Sequence, residues 1–122
     1  CTSTFSQYAA VEALRGPTKE SESMVKVFKK RRDFIVEGLN SLPGVSCIKP
    51  KGAFYVFPNV SEISMQSDQL EDYLLNDAGV AVLSGSAFGM HGNDYLRLSY
   101  ANSIENIEKA LERIRVSLAK IK

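Results

Sequence analysis

The chain has 122 residues, a formal net charge of +1, 44% hydrophobic and 24% charged residues. That length suffices for one small domain with a single core, and the balanced charge gives no electrostatic case for nucleic acid or an anionic membrane surface as partner. No apolar run approaches the ~20 residues of a membrane span, no basic segment followed by an apolar one opens the chain, and two cysteines, Cys1 and Cys47, make no disulfide framework, so a reducing, cytoplasmic compartment is the simpler reading.

In chain order, Phe5 to Leu14 reads as a packing helix with Phe5, Tyr8, Ala9, Val11 and Leu14 on its apolar side, stopped by Gly16-Pro17. Ser21 to Leu42 is the longest helical pattern. Met24, Val27, Phe28, Phe34, Ile35, Leu39 and Leu42 recur at spacings of three and four, Ser21 offers an N-cap, and Pro43-Gly44 ends the run. At ~1.5 Å per residue such a helix is roughly 30 Å long, enough to cross one face of a small domain. Lys29-Lys30-Arg31-Arg32 within it matches a basic nucleic-acid or nuclear-localisation motif. The balanced net charge favours the plainer reading, a solvated helix face.

Val45 to Ile48 and Ala53 to Phe57 read as two strands of a hairpin around Pro50-Lys51-Gly52. On the second, Phe54, Val56 and Pro58 share one face, and Ala53, Tyr55 and Phe57 the other. Both faces are apolar, which predicts a central strand covered on both sides, with core packing as the role of most of these rings. After a polar linker over 61–66, Asp68 to Ala78 reads as a helix. Asp68 with Glu71 forms a capping-box pattern, Leu70, Tyr73 and Leu74 form the buried stripe, and Gly79 sits at the C-terminal end. The last helix runs from Ile104 to Ile121, with Ile104, Ile107, Leu111, Ile114, Leu118 and Ile121 as its stripe. The stripe barely fills three heptads, so packing on a sheet is preferred to a coiled coil.

Between these helices lies GVAVLSGSAFGMHGNDYLRLSYA, residues 79–101, which reads as strand, glycine-rich loop, strand. In the second strand Leu96, Leu98 and Tyr100 point one way, and Tyr95, Arg97 and Ser99 the other. Arg97 is thus a planar cation on a strand beside a glycine-edged loop, able to hold a carboxylate through two parallel hydrogen bonds. Spacing alone favours an ordinary solvated arginine, the commoner case on strands.

Five segments stand in order along the chain: SQYAAVEAL at 6–14, FKKRRDFIVEGLNSLPGVSC at 28–47, GAFYVFPNV at 52–60, VAVLSGSAFG at 80–89 and YLRLSYANSIENIEKALERI at 95–114. Together they resemble class I pyridoxal-phosphate aminotransferases, most of all the aspartate aminotransferase branch, over nearly the whole chain. The resemblance implies an α/β (α+β) two-layer domain, a small, mostly antiparallel sheet with helices packed on it, as in the small domain of fold-type I pyridoxal-phosphate enzymes. Residues 1–17 would lead in from the large cofactor-binding domain and residues 18–122 would be the C-terminal small domain. The Ser, Thr and Asn residues that usually precede this point in the family do not occur here. In the RLSYA segment of that family the arginine binds the substrate's α-carboxylate, which here is Arg97, and Phe54 is the matching candidate for lining the substrate pocket.

The complete enzyme would move an amino group between an amino acid, aspartate foremost, and a 2-oxo acid through pyridoxal phosphate. Its partners would be those two substrates, the large domain of the same chain and a second copy in a homodimer. The family's Schiff-base lysine, pyridine-pairing aspartate and phosphate-holding groups lie in the large domain. The serine-lysine segment around that lysine matches nothing here. This chain is therefore expected to carry no catalytic residue, to bind no cofactor by itself and to be inactive alone. It also opens at Cys1 without a start methionine, which with the resemblance suggests a piece of a longer polypeptide. The rival reading is a free-standing amino-acid-binding or regulatory module.

Other chemistry fails on the residues themselves. Gly85-Ser86-Ala87-Phe88-Gly89 places its serine one position early for a nucleophile elbow. Ser86, His91 and Asp94 are the residue types of a catalytic triad, but bunched on one loop they read as turn residues. One histidine and two distant cysteines give no metal-ligand cluster, and neither a dinucleotide nor a P-loop motif occurs.

Overall fold

The elements follow in the order α1 (Thr4–Arg15), α2 (Lys19–Asn40), β1 (Tyr55–Val56), α3 (Ser67–Tyr73), β2 (Leu83–Ser84), β3 (Leu96–Ser99) and α4 (Ile104–Leu118), in a computed structural model that describes residues 1–121. Strand β3 is the middle of a three-stranded sheet of order β1-β3-β2, and both pairings are antiparallel. Leu96, Leu98 and Tyr100 alternate inward, and all three are buried. Against them pack Val56 of β1, Ile35, Val36 and Leu39 of α2, Leu70 and Leu74 after β1, and Ile107, Leu111 and Ile114 of α4. Helices on one side of a small antiparallel sheet make the two-layer α/β domain that the resemblance implies. No helix of the described residues is long and apolar enough to cross a membrane.

Helix α2 begins two residues earlier than the sequence suggests. Thr18 rather than Ser21 precedes it, and the Thr18 hydroxyl donates to Glu22 at 2.8 Å. Glu20 and Glu22 in its first turn complement the helix dipole. The helix stops at Asn40, and the chain turns through Gly44 in the left-handed region at φ +72°. Its fully buried residues, Ile35, Val36 and Leu39, lie in the C-terminal half; Phe28 packs partly buried against the core, and Met24, Val25 and Val27 are exposed. In the basic run, Arg32 is half-buried and donates to Asp33 and to the Pro50 carbonyl, and Arg31 lies over the Phe28 ring. Helix α1 buries nothing, leaving Phe5, Tyr8, Val11 and Leu14 exposed.

The expected hairpin over 45–57 is not formed. Only Ser46 bridges Asn59, and β1 pairs instead with β3. The Asn40 side chain explains part of this: it accepts from the Cys47 amide at 2.8 Å and donates to the Cys47 carbonyl at 3.0 Å, occupying the backbone a partner strand would need. Ala53 at φ +59° breaks the alternation before β1. Nor is that strand central and covered on both faces. It lies at the sheet edge, with Val56 buried but Tyr55 and Phe57 more than a third exposed.

The apolar run at 80–83 is extended, with Val80 and Val82 buried, yet pairing is confined to Leu83 with Arg97 and Ser84 with Leu96. The Asp68–Glu71 capping box is also absent. Asp68 accepts only from the neighbouring Gln69 amide, while Glu71 reaches across to the Ser84 amide at 2.6 Å. Helix α3 then loosens into a π-turn over Leu74–Ala78, closed by Gly79 at φ +63°. Ser103 caps α4 through the Asn106 amide. That helix packs along α2, with Gly38 of α2 leaving room for the Leu111 side chain.

Asp77, at the end of the π-turn, accepts from the Ser117 hydroxyl at 2.6 Å and from Lys120 at 2.9 Å, tying this turn to the end of α4. The Ser117 hydrogen bond, then Lys120, hold its carboxyl below the usual carboxylate value. A folded pKa below the unfolded one adds stability above the unfolded pKa, and that stability is lost as pH falls through the folded value. The Asp77→Asn variant is therefore expected to show a shallower drop in thermal midpoint than the parent chain between about pH 6 and about pH 3, and parallel drops would exclude this tie.

Candidate functional site

The face of the sheet away from the helices presents Arg97 at the centre of β3. Register places Leu83 of β2 directly across from it, and Tyr55 of β1 across from Ser99. The guanidinium carbon lies over the Tyr55 ring, 4.5 Å from its centroid, and over the Phe88 ring, 4.2 Å from its centroid. These two rings reach it from opposite flanks of the central strand, Tyr55 from β1 and Phe88 from the turn that follows β2. Arg97 is half-buried, and among the described residues its N–H groups make no hydrogen bond or ion pair. A guanidinium flanked by two aromatic rings and with its N–H donors unpartnered can donate two parallel hydrogen bonds to a planar anion.

The loop that carries Phe88 is built from close backbone approaches and hydroxyls. Gly85 donates to the Tyr95 carbonyl at 2.7 Å, and Tyr95 donates to the Gly92 carbonyl at 3.0 Å. A Cβ at Gly85 would run into the Gly92 carbonyl oxygen, and one at Gly92 into Gly85, so both glycines serve backbone-to-backbone packing. Ser84 Oγ is 2.8 Å from both Ser67 Oγ and Ser86 Oγ, and accepts from the Ser86 amide at 3.2 Å. With Glu71 on the Ser84 amide, this network pins the 3₁₀ turn Gly85–Phe88 to α3. Phe57 stacks on Tyr95 at 5.1 Å and meets Phe88 edge-on at 6.4 Å, continuing the aromatic wall beside Arg97.

Phe54, the second residue singled out from the sequence, is placed differently. Its ring is 4.4 Å from Tyr55 and 6.4 Å from Phe28, and it lines a groove against α2 with Met24, Val25, Lys29, Lys51 and Tyr100. Tyr55, which its ring touches, also lies against Arg97. The sequence reading missed Tyr55 and Phe88 as neighbours of the arginine. For Tyr55 a signal was present, since its alternation with the core residue Val56 assigns it to the outer face.

Ser86 is engaged with Ser84, and no hydrogen bond joins it to His91 among the described residues. Nor do three His, Cys, Asp or Glu side chains come together there as a metal-ligand set. Residues 79–101 hold no lysine, and Lys29 and Lys51 face the groove behind Phe54.

The α/β scaffold that carries Arg97 has its counterpart in known proteins. Residues 1–114 match the model of the class I and II aminotransferases, and the chain belongs to that family. It is 44% identical over 117 residues to an aspartate aminotransferase of Pyrococcus horikoshii, covering 94% of this chain but 30% of that protein. It is 39% identical over 116 residues to aromatic-amino-acid aminotransferase 2 of Thermococcus litoralis, covering 93% and 30%. The solved aspartate aminotransferase of Rhizobium meliloti superposes with a TM-score of 0.91 at 38% identity, covering all of this chain and 32% of that one. The chain thus spans about a third of the length of the relatives it matches.

The Gly85–Gly92 approach can be tested directly. Besides Gly92, a Cβ at Gly85 would stand 2.8 Å from Phe57 Cζ and 2.9 Å from the Tyr95 carbonyl oxygen. Gly85→Ala is expected to cost about 1–3 kcal/mol by urea unfolding, the usual cost of overpacking, while Gly52→Ala, with open space around it, should change stability by no more than about 1 kcal/mol.

Proposed function

We propose that this chain is the C-terminal small-domain part of a pyridoxal-phosphate-dependent aminotransferase and that Arg97 holds the α-carboxylate of its amino-acid and 2-oxo-acid substrates. The observation that carries the reading is the unpartnered guanidinium edge between strands, held over Tyr55 and Phe88. Two parallel N–H···O bonds to a carboxylate fix the substrate's orientation as well as its position. All substrates of a transaminase share that carboxylate, so a single arginine serves both amino donor and acceptor.

In this reading residues 1–17 lead in from a large domain, and residues 18–122 close over the substrate, excluding water from the reacting carbon. The large domain would hold the cofactor. Family membership and a coverage of about 30% of each relative support that division. Phe54 would form part of the pocket wall, reaching Arg97's surroundings through its contact with Tyr55. Aspartate is the proposed substrate, supported by the aspartate aminotransferases among the relatives. A homodimeric parent and a cytoplasmic setting complete the reading. The free thiols of Cys1 and Cys47 support the latter.

In the complete enzyme Arg97→Leu is expected to lower kcat/KM for every amino acid and 2-oxo acid alike. Losing a charge-assisted contact in a closed site costs about 2–5 kcal/mol, or roughly 30- to 5000-fold. Arg97→Lys should restore only part, lacking the fork. Wild-type kinetics in Arg97→Leu would remove Arg97 from the site. Discovery that the natural gene encodes these residues alone, together with saturable aspartate binding by the isolated chain, would favour a free-standing amino-acid-binding module.

A further inference from the structure

We propose that Tyr55 and Phe88 are positioning residues for the carboxylate arginine: their rings flank the guanidinium from the two sides of β3 and leave its N–H donors free. The proposal rests on the reading of Arg97 given above and extends it to two residues that act through the arginine.

The geometry carries this in three steps. First, Arg97 Cζ lies 4.5 Å from the Tyr55 centroid and 4.2 Å from the Phe88 centroid, both well inside the ~6 Å range of cation–π attraction. Second, no acidic side chain among the described residues pairs with Arg97, so the rings are what restrains a side chain that otherwise has large rotamer freedom. Third, the two attractions draw on different properties of the guanidinium. The rings attract the charge centred on Cζ and take up no N–H donor, whereas a carboxylate needs those donors. An acidic partner would orient the arginine as well, but it would occupy the edge and compete with the substrate. Aromatic partners orient it without that competition.

Both rings are held by the fold. Tyr55 lies in β1, with its register fixed against Ser99 of β3. Phe88 ends the 3₁₀ turn that the Ser67–Ser84–Ser86 hydroxyls and Glu71 pin to α3, and Phe57 meets its ring edge-on. Ser67 and Ser84 are buried, and their hydrogen bonds hold the start of the turn in place.

The test uses the complete enzyme that contains these residues. Steady-state kinetics with aspartate and a 2-oxo acid are measured for Tyr55→Leu, Phe88→Leu, Tyr55→Phe and Phe88→Tyr, each also combined with Arg97→Leu, with thermal midpoints recorded for all. Removing either ring should lower kcat/KM about 2- to 30-fold, the range spanned by cation–π contacts, and equally for the amino acid and the 2-oxo acid. Variants that keep an aromatic ring should stay within about twofold of wild type, since the face-on attraction survives. In the Arg97→Leu background, Tyr55→Leu and Phe88→Leu should cause no further loss, because the ring acts only through the arginine. If Phe88→Leu does not fold, Phe88→Met takes its place.

Three outcomes overturn the proposal. If Arg97→Leu is severely impaired but both ring-removing variants keep wild-type kinetics, the rings do not position the arginine and the carboxylate reading stands. If ring removal costs as much without Arg97 as with it, the rings act elsewhere. If Arg97→Leu is itself without effect, the carboxylate reading fails and this proposal fails with it.

Discussion

The alternation of β3 is the constraint on which the rest of the domain depends. One short strand must turn Leu96, Leu98 and Tyr100 into the core while projecting Arg97 to the opposite face. A slip of one residue would bury the guanidinium and expose the leucines, which register over a one-sided core forbids. Tyr100 extends the anchorage past the end of the strand. It is among the largest fully buried side chains, meets Phe28 of α2 edge-on at 6.2 Å, and donates to the Ala53 carbonyl at 2.8 Å. That bond holds the chain just before β1, where Ala53 takes a left-handed conformation. The same packing that buries the inner face of β3 thereby places Tyr55 on the outer one.

The loop after β2 solves a second problem, how to bring a ring over Arg97 from the far side. Close backbone contact at Gly85 and Gly92 shortens the path. The cost is a buried polar cluster, and buried hydroxyls destabilise unless they find partners. Here each does: the buried Ser67 and Ser84 hydroxyls bond each other, Ser84 also bonds the exposed Ser86, and Glu71 takes the Ser84 amide. None of the buried side-chain nitrogens or oxygens among the described residues is left unpartnered.

What the amino-acid pattern reveals divides along a physical line. The long helices were legible because 3.6-residue periodicity is local: the stripes of α2 and α4 contain Ile35, Leu39, Ile107, Leu111 and Ile114, all buried in the fold. The alternation that isolates Arg97 was legible for the same reason, and the ordered family segments pointed to the family. The missed features are tertiary. Asn40 competing for the Cys47 backbone, Glu71 leaving its own helix end for Ser84, and Ala53 adopting positive φ each depend on a group distant in sequence. Strand lengths failed similarly, since β1 and β2 pair over two residues each and owe their position to β3.

The distribution of exposed apolar side chains bears on why the arginine face is built as it is. Core residues come from α3, α4, the C-terminal half of α2 and one face of the sheet. The exposed ones concentrate elsewhere: on α1, on the N-terminal half of α2, and on the sheet's outer face at Tyr55, Phe57, Leu83 and Phe88. Scattered apolar exposure needs no explanation, but contiguous exposure marks a covered surface. Here it surrounds Arg97. An arginine in an open, wet site gains little from a carboxylate, since solvent screens the pair. Once an opposing surface covers the rings around it, the same contact is desolvated and strengthened. The aromatic surround thus has two physical roles on the proposed reading: it orients the guanidinium in the open domain, and it supplies the apolar wall against which the rest of the polypeptide can close.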